Sequence, residues 1–229
     1  MRAGTRKDVF TAANTALRDA ARGLSAARDA AVAVATFDLL VPEPDPLLAA
    51  VRGDLVARTT DAGAAPDEAT LAAAADALAR VALPLADGLG GLAWPTLAAG
   101  LRASYAGGRA AMRAAHAEPD DEAFHAWRKR AKDLWYQCQL LQGICPEQLD
   151  GLAQMLAELG DLLGADHDLA VLQAAAAASP ALHDRIAARH LELRRAAWQL
   201  GRRIHAERPA AFVRRMRAYW RVWVEGAAT

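Results

Sequence analysis

A chain of 229 residues that is 54% apolar has enough material to bury one large core or two small ones. Its two cysteines, Cys138 and Cys145, suggest no disulfide framework, the N-terminus lacks the apolar segment of a secretion signal, and no uncharged apolar run approaches the roughly 18–20 residues of a membrane span. A reducing, cytoplasmic setting without a membrane partner is therefore expected, and the formal net charge of zero excludes nothing by itself, because the charges are strongly segregated along the chain.

Alanine is heavily used and β-branched residues are sparse, a mix that favours helix over sheet, and no alternating strand pattern stands out. The first helix is predicted over about 7–24 and the second over about 28–40. "VPEPDP" (41–46) breaks the chain, since its prolines remove backbone donors. A third helix follows over about 46–60, then a loop in which Asp67 or Thr70 would cap the next helix. "ALPLADGLGGLAWPT" (82–96) is a connection; no strand precedes its glycines, so it is not a phosphate loop. Helices are expected over 96–115, then after "HAEPDDEAF" (116–124), where Pro119 and the acids suit a helix N-terminus, to about Gln142, over 146–163, over 166–177, through most of 180–206, and after Pro209.

Residues 1–28 hold six Lys/Arg against two acids, 29–100 three against ten, 101–140 seven against five, 141–180 none against six, and 181–229 eleven against four. An internal echo crosses these blocks. "LSAARDAAVAV" (24–34) and "LGADHDLAVLQ" (163–173) align without a gap, 139 residues apart, with Asp29 and Asp168 at equivalent positions after an expected helix break, where each would cap a helix or pair with a base. The basic helix beginning at His125 lies 38 residues before Leu163, so its counterpart in the first copy would begin at position −14. The expected architecture is thus an all-α helical bundle of two related helical repeats, 1–100 and 101–229, within one domain spanning 1–229, the first repeat N-terminally incomplete.

The richest stretch is "FHAWRKRAKDLWYQCQLL" (124–141). His125, Arg128, Lys129 and Lys132 follow i, i+3, i+4, i+7 spacing and fall within about 100° of one another on a helix. Trp127, Ala131, Leu134, Trp135, Cys138 and Leu141 take the opposite side. Cations one turn apart repel one another, so the row needs a reason: a solvated face, acids from a neighbouring helix, or a linear polyanion whose charges repeat along the strip.

"HAWRKRAKDLWYQCQLL" followed by "LAELGDLLGADHDLAVL" resembles the second half of a CHAD domain, the conserved histidine α-helical domain. "TALRDAARGLSAARDAAVAVATFDLL" is similar to the close of its first half, and "YAGGRAAM" (105–112) to the helix before its second histidine motif. The resemblance covers nearly the whole chain. It implies two related helical bundles, a basic surface between them and binding of inorganic polyphosphate, in some members at polyphosphate granules. On this resemblance His125, Arg128, Lys129 and Lys132 match the signature helix, and Arg18, Arg22 and Arg28 match basic positions of the first half. His167 stands where the first repeat has Arg28. The family's first half opens with its own His/Arg/Lys helix, which this chain lacks.

Arg109 and Arg113, one turn apart, and Arg195, Arg202 and Arg203 on the Arg-rich helix are further candidates for a polyphosphate groove formed by several helices. His116, His183, His190 and His205 lack distinctive company and are expected at the surface or rim. Trp220 and Trp223 would serve a homodimer contact. No nucleophile–base pair or cofactor motif occurs, so a binding module without cofactor is expected rather than an enzyme. Two other readings stand beside it: a metal-assisted phosphohydrolase using His125, His167 and Asp168, and a nucleic-acid or granule-surface binding protein.

Overall fold

The structure is a computed structural model that describes residues 11, 15, 18, 25–61, 68–69, 71–77, 79, 93–176 and 179–226. Among these residues the fold is all-α, with helices α1 (Ser25–Leu40), α2 (Ala49–Asp61), α3 (Trp94–Ala117), α4 (Asp121–Leu141), a 3-10 turn (Gln142–Ile144), α5 (Pro146–Ala175), α6 (Pro180–Ile204) and α7 (Pro209–Gly226). Residues 11, 15 and 18 and the described positions within 68–79 are also helical. The chain divides into two compact units, residues 1–92 with 171–183, and residues 93–170 with 184–229.

In the first unit α1 packs on α2 and buries Ala33, Phe37, Val41, Leu48 and Leu55. The proline run ends α1 as expected, and Asp45 Oδ1 accepts from the Leu47 amide at 3.0 Å to shape the turn into α2. Arg52 forks onto Asp38, Nε to Oδ1 at 2.7 Å and Nη2 to Oδ2 at 3.0 Å, and this hydrogen-bonded guanidinium holds the Asp38 carboxyl below the usual range. Both partners are half exposed, so the pair fixes geometry more than it adds stability. Asp29 lies inside α1; the candidate caps Asp67 and Thr70 lie outside the described residues.

The second unit is built on two stripes of matched period. On α4, Phe124, Trp127, Ala131, Leu134, Cys138 and Leu141 are buried; on α5, Leu149, Leu152, Leu156, Leu159 and Leu163 are buried. Both sets alternate steps of three and four, which keeps one face of each helix on a shared core. Asp120 caps α4, its Oδ1 accepting from the Ala123 amide at 2.7 Å, and Asp121 and Glu122 complement the helix dipole in the first turn. α3 packs on α4 and α7. Its Tyr105 stacks on Phe212 at 4.2 Å and donates its hydroxyl to the Ile204 carbonyl at 3.0 Å, tying off the end of α6. Gly201 of α6 faces Trp127 so closely that a Cβ there would lie 2.5 Å from the indole Cζ2.

Three expectations are corrected. α5 runs unbroken through residues 163–168, so Asp168 is mid-helix rather than a cap. Gly160 and Gly164 weaken a helix locally, but buried Leu159, Leu163, Leu169 and Leu172 outweigh that cost, and no proline intervenes. α3 starts at Trp94, with Pro95 in its first turn rather than in a connection. His190 and His205 are buried, not at the rim. His116 is exposed as expected, stacked on Trp198 at 3.7 Å.

Candidate functional site: the α4–α5 cleft

The second unit holds a cleft of about 540 Å³ between α4 and α5, lined from α4 by Arg128, Lys132, Trp135 and Tyr136, and from α5 by Leu156, Ala157, Gly160, Asp161, Gly164, Ala165 and Asp168. The two helices run antiparallel through the turn at 142–145, and two contacts fix their register. The His125 and His167 rings lie 4.6 Å apart, and Gly164 passes under Arg128, where an added Cβ would be 3.7 Å from Nε. Both pairs of residue numbers have the same sum, so Lys132 falls opposite Gly160 and Trp135 opposite the Leu156–Ala157 turn.

The cationic row that the spacing defined is therefore real, and it is not a uniformly solvated face. Arg128 and Lys132 are half-buried into the cleft, while Lys129 is exposed. The Arg128 Nε and the His125 Nδ1 are buried and lack a hydrogen-bond partner. Burial pushes the His125 ring below its ordinary titration range, and Lys129, His167 and Arg128 push it further the same way. No carboxylate lies within ion-pair distance of Arg128, Lys129 or Lys132 among the described residues, although Asp161 and Asp168 line the same cleft. By contrast Arg130, on the flank, is matched by Asp133 at 3.2 Å.

Beside His167 in the chain, Asp166 anchors a buried network that the sequence did not reveal. Its side chain, 3% exposed, accepts from His190 Nδ1 at 2.6 Å and Arg194 Nε at 2.7 Å. Arg194 also donates to Asp121 and to the Pro119 carbonyl, and lies over the Phe124 ring at 4.4 Å. One arginine thereby clamps α5 and α6 to the start of α4. His190 and Arg194, four residues apart on α6, were the only sequence signal for it.

The candidates on α3 and α6 do not line the cleft. Arg109 donates to the Glu207 carbonyl in the α6–α7 turn, a structural use of its charge. Arg113, Arg195, Arg202 and Arg203 are exposed on α3 and α6 and have no carboxylate partner among the described residues. Among the described residues of this unit the cations that line the cleft belong to α4. The reason is compositional: α5 lies in the block 141–180 that holds no Lys or Arg, so it offers His167 and two acids instead. Arg18 and Arg28 belong to the first unit and are exposed, and Arg22 lies outside the described residues. Trp220 is half-buried 6.0 Å from Trp94, while Trp223 remains 45% exposed beside it. Burial drives the Cys138 thiol up to about 12, so it is an inert core group. Among the described residues no three His, Cys, Asp or Glu are placed to hold a metal ion, and no helix is long and apolar enough to cross a membrane.

The family model of the CHAD domain matches residues 1–177, more than half the chain and including all of the cleft. Arg195, Arg202 and Arg203 lie beyond the matched span. Neither a curated protein nor a solved structure matches the chain.

Proposed function

The chain belongs to the CHAD domain family, and from that premise we propose that its second helical repeat captures inorganic polyphosphate along the cationic strip of α4. The family is linked to polyphosphate binding and is generally a binding module. The observation that carries the reading is that Arg128, Lys129 and Lys132, cations on adjacent turns that repel one another, have no carboxylate within ion-pair distance among the described residues. A phosphate chain laid along α4 neutralises them. Arg128 forks two oxygens, Lys132 and Lys129 act as mobile point charges one turn on, and condensed counterions are released. An anion beside His125 also offsets the repulsion from Lys129 and Arg128, so capture favours the protonated ring. Association with polyphosphate granules would follow from the same contacts.

Titration of long-chain polyphosphate into the full chain tests this. Replacing Arg128 and Lys132 together by alanine is expected to weaken binding at least tenfold with the melting temperature little changed. Arg130→Ala, which removes a cation already matched by Asp133, is expected to stay within about twofold of the parent. Equal affinity in the double variant would remove the strip from the site.

A further inference from the structure

The chemistry of the cleft is richer than an inorganic phosphate chain requires. Polyphosphate at neutral pH offers acceptor oxygens and negative charge only. It satisfies Arg128 and Lys132, but it has nothing for the aromatic pair at the other end of the cleft, and it is repelled by carboxylates. Trp135 and Tyr136, with ring centroids 4.9 Å apart, both line the cleft, and Tyr136 is 53% exposed, its hydroxyl without a hydrogen-bond partner among the described residues. Asp161 and Asp168 line it as well, and neither comes within ion-pair distance of Arg128 or Lys132. Opposite charges left apart across one cleft, beside an aromatic pair of which Trp135 packs partly on the core and Tyr136 is exposed, call for a ligand that has donors, acceptors and a π-face together.

We infer that the α4–α5 cleft accepts a nucleoside polyphosphate, its phosphates on Arg128 and Lys132, its sugar hydroxyls donating to Asp161, and its base on Trp135 and Tyr136. The register orders these groups suitably. From Arg128 to Trp135 is seven residues, about 10 Å along the α4 axis, so phosphate and base contacts are separated as they are along an extended nucleotide. Asp161 faces the Lys132 turn between them. A cleft of about 540 Å³ lies within the range of small-molecule sites. Stacking of a base on aromatic rings tolerates any base, so the site selects the class rather than one nucleobase.

The inference shares with the proposed function the assignment of Arg128 and Lys132 as phosphate contacts, and the test separates the two. ATP and inorganic triphosphate are titrated calorimetrically into the full chain at equal ionic strength. Charge alone favours triphosphate; the cleft as described binds ATP at least tenfold more tightly. Trp135→Ala and Tyr136→Ala bring ATP down to the triphosphate level and leave triphosphate unchanged. Tyr136 is exposed, so its variant reports on the site even if loss of Trp135 disturbs folding. Asp161→Asn weakens ATP and strengthens triphosphate. Triphosphate binding as well as or better than ATP overturns the inference. If long-chain polyphosphate then still binds through Arg128 and Lys132, the proposed function stands without it; if polyphosphate binds no better, both fall.

Discussion

His205 shows how one residue can govern the acid stability of the unit. Both ring nitrogens are buried without a partner, the ring stands edge-on to Tyr105 at 5.0 Å, and Gly108 admits it, since a Cβ there would lie 2.9 Å from Cε1. Burial, with Arg109 adding to it, lowers the ring to about 4, against 6.5 for an ordinary imidazole. Between those values the unfolded chain takes up a proton that the native chain refuses. Stability is therefore complete above about pH 6.5, falls as the pH drops, and levels out below about pH 4. From pH 7 to pH 5 this single ring removes about 2 kcal/mol. In urea melts, His205→Leu is expected to match or exceed the parent at pH 7, because an apolar group leaves no unmet donor or acceptor, and to lose about 2 kcal/mol less on moving to pH 5. An unchanged pH slope in that variant would locate the acid sensitivity elsewhere. This burial was not legible beforehand, since Arg202 and Arg203 stand just before Ile204 and His205 and a turn follows.

Between elements, the decisive contact is the approach of α6 to α4 at Gly201. A methyl group there would meet Trp127 Cζ2 at 2.5 Å and Met112 Sδ at 3.0 Å. Alanine improves helix propensity by about 1 kcal/mol in an open helix. Here overpacking dominates, and Gly201→Ala is expected to lower stability by about 1–3 kcal/mol, read as a lower urea midpoint at unchanged m-value; a raised midpoint would show that Trp127 is free to move. Elements were legible where local chemistry is unambiguous. The proline run ended α1, Asp120 and the acids after it opened α4, and Pro209 opened α7, all as expected. Where local chemistry is weak, packing decided. The stretch 163–168 reads as a break, yet the leucine stripe of α5 carries the helix across it. The same limit hid the Asp166–His190–Arg194 clamp, whose partners lie 24 and 28 residues apart and meet only when α5 and α6 pack.

For the whole molecule the central quantity is the distribution of charge, not its sum. The signature row on α4 was legible because 3.6-residue periodicity fixes which side chains share a face, and two of its four members, Arg128 and Lys132, line the cleft. What periodicity cannot give is the opposite wall. It did not reveal that Arg109 is used up by the Glu207 carbonyl, that the exposed arginines of α6 lie outside the cleft, or that α5 faces the cations with Asp161 and Asp168. The account rests on Arg128 and Lys132 being free to neutralise phosphate. The most direct measurement is the salt dependence of polyphosphate affinity in the parent chain and in the Arg128→Ala, Lys132→Ala variant. Each phosphate contact contributes a slope of roughly −0.7 to −0.9 in log K against log salt for nucleic acids, so the double variant should be shallower by about 1.5. Parallel lines for the two proteins would contradict the account.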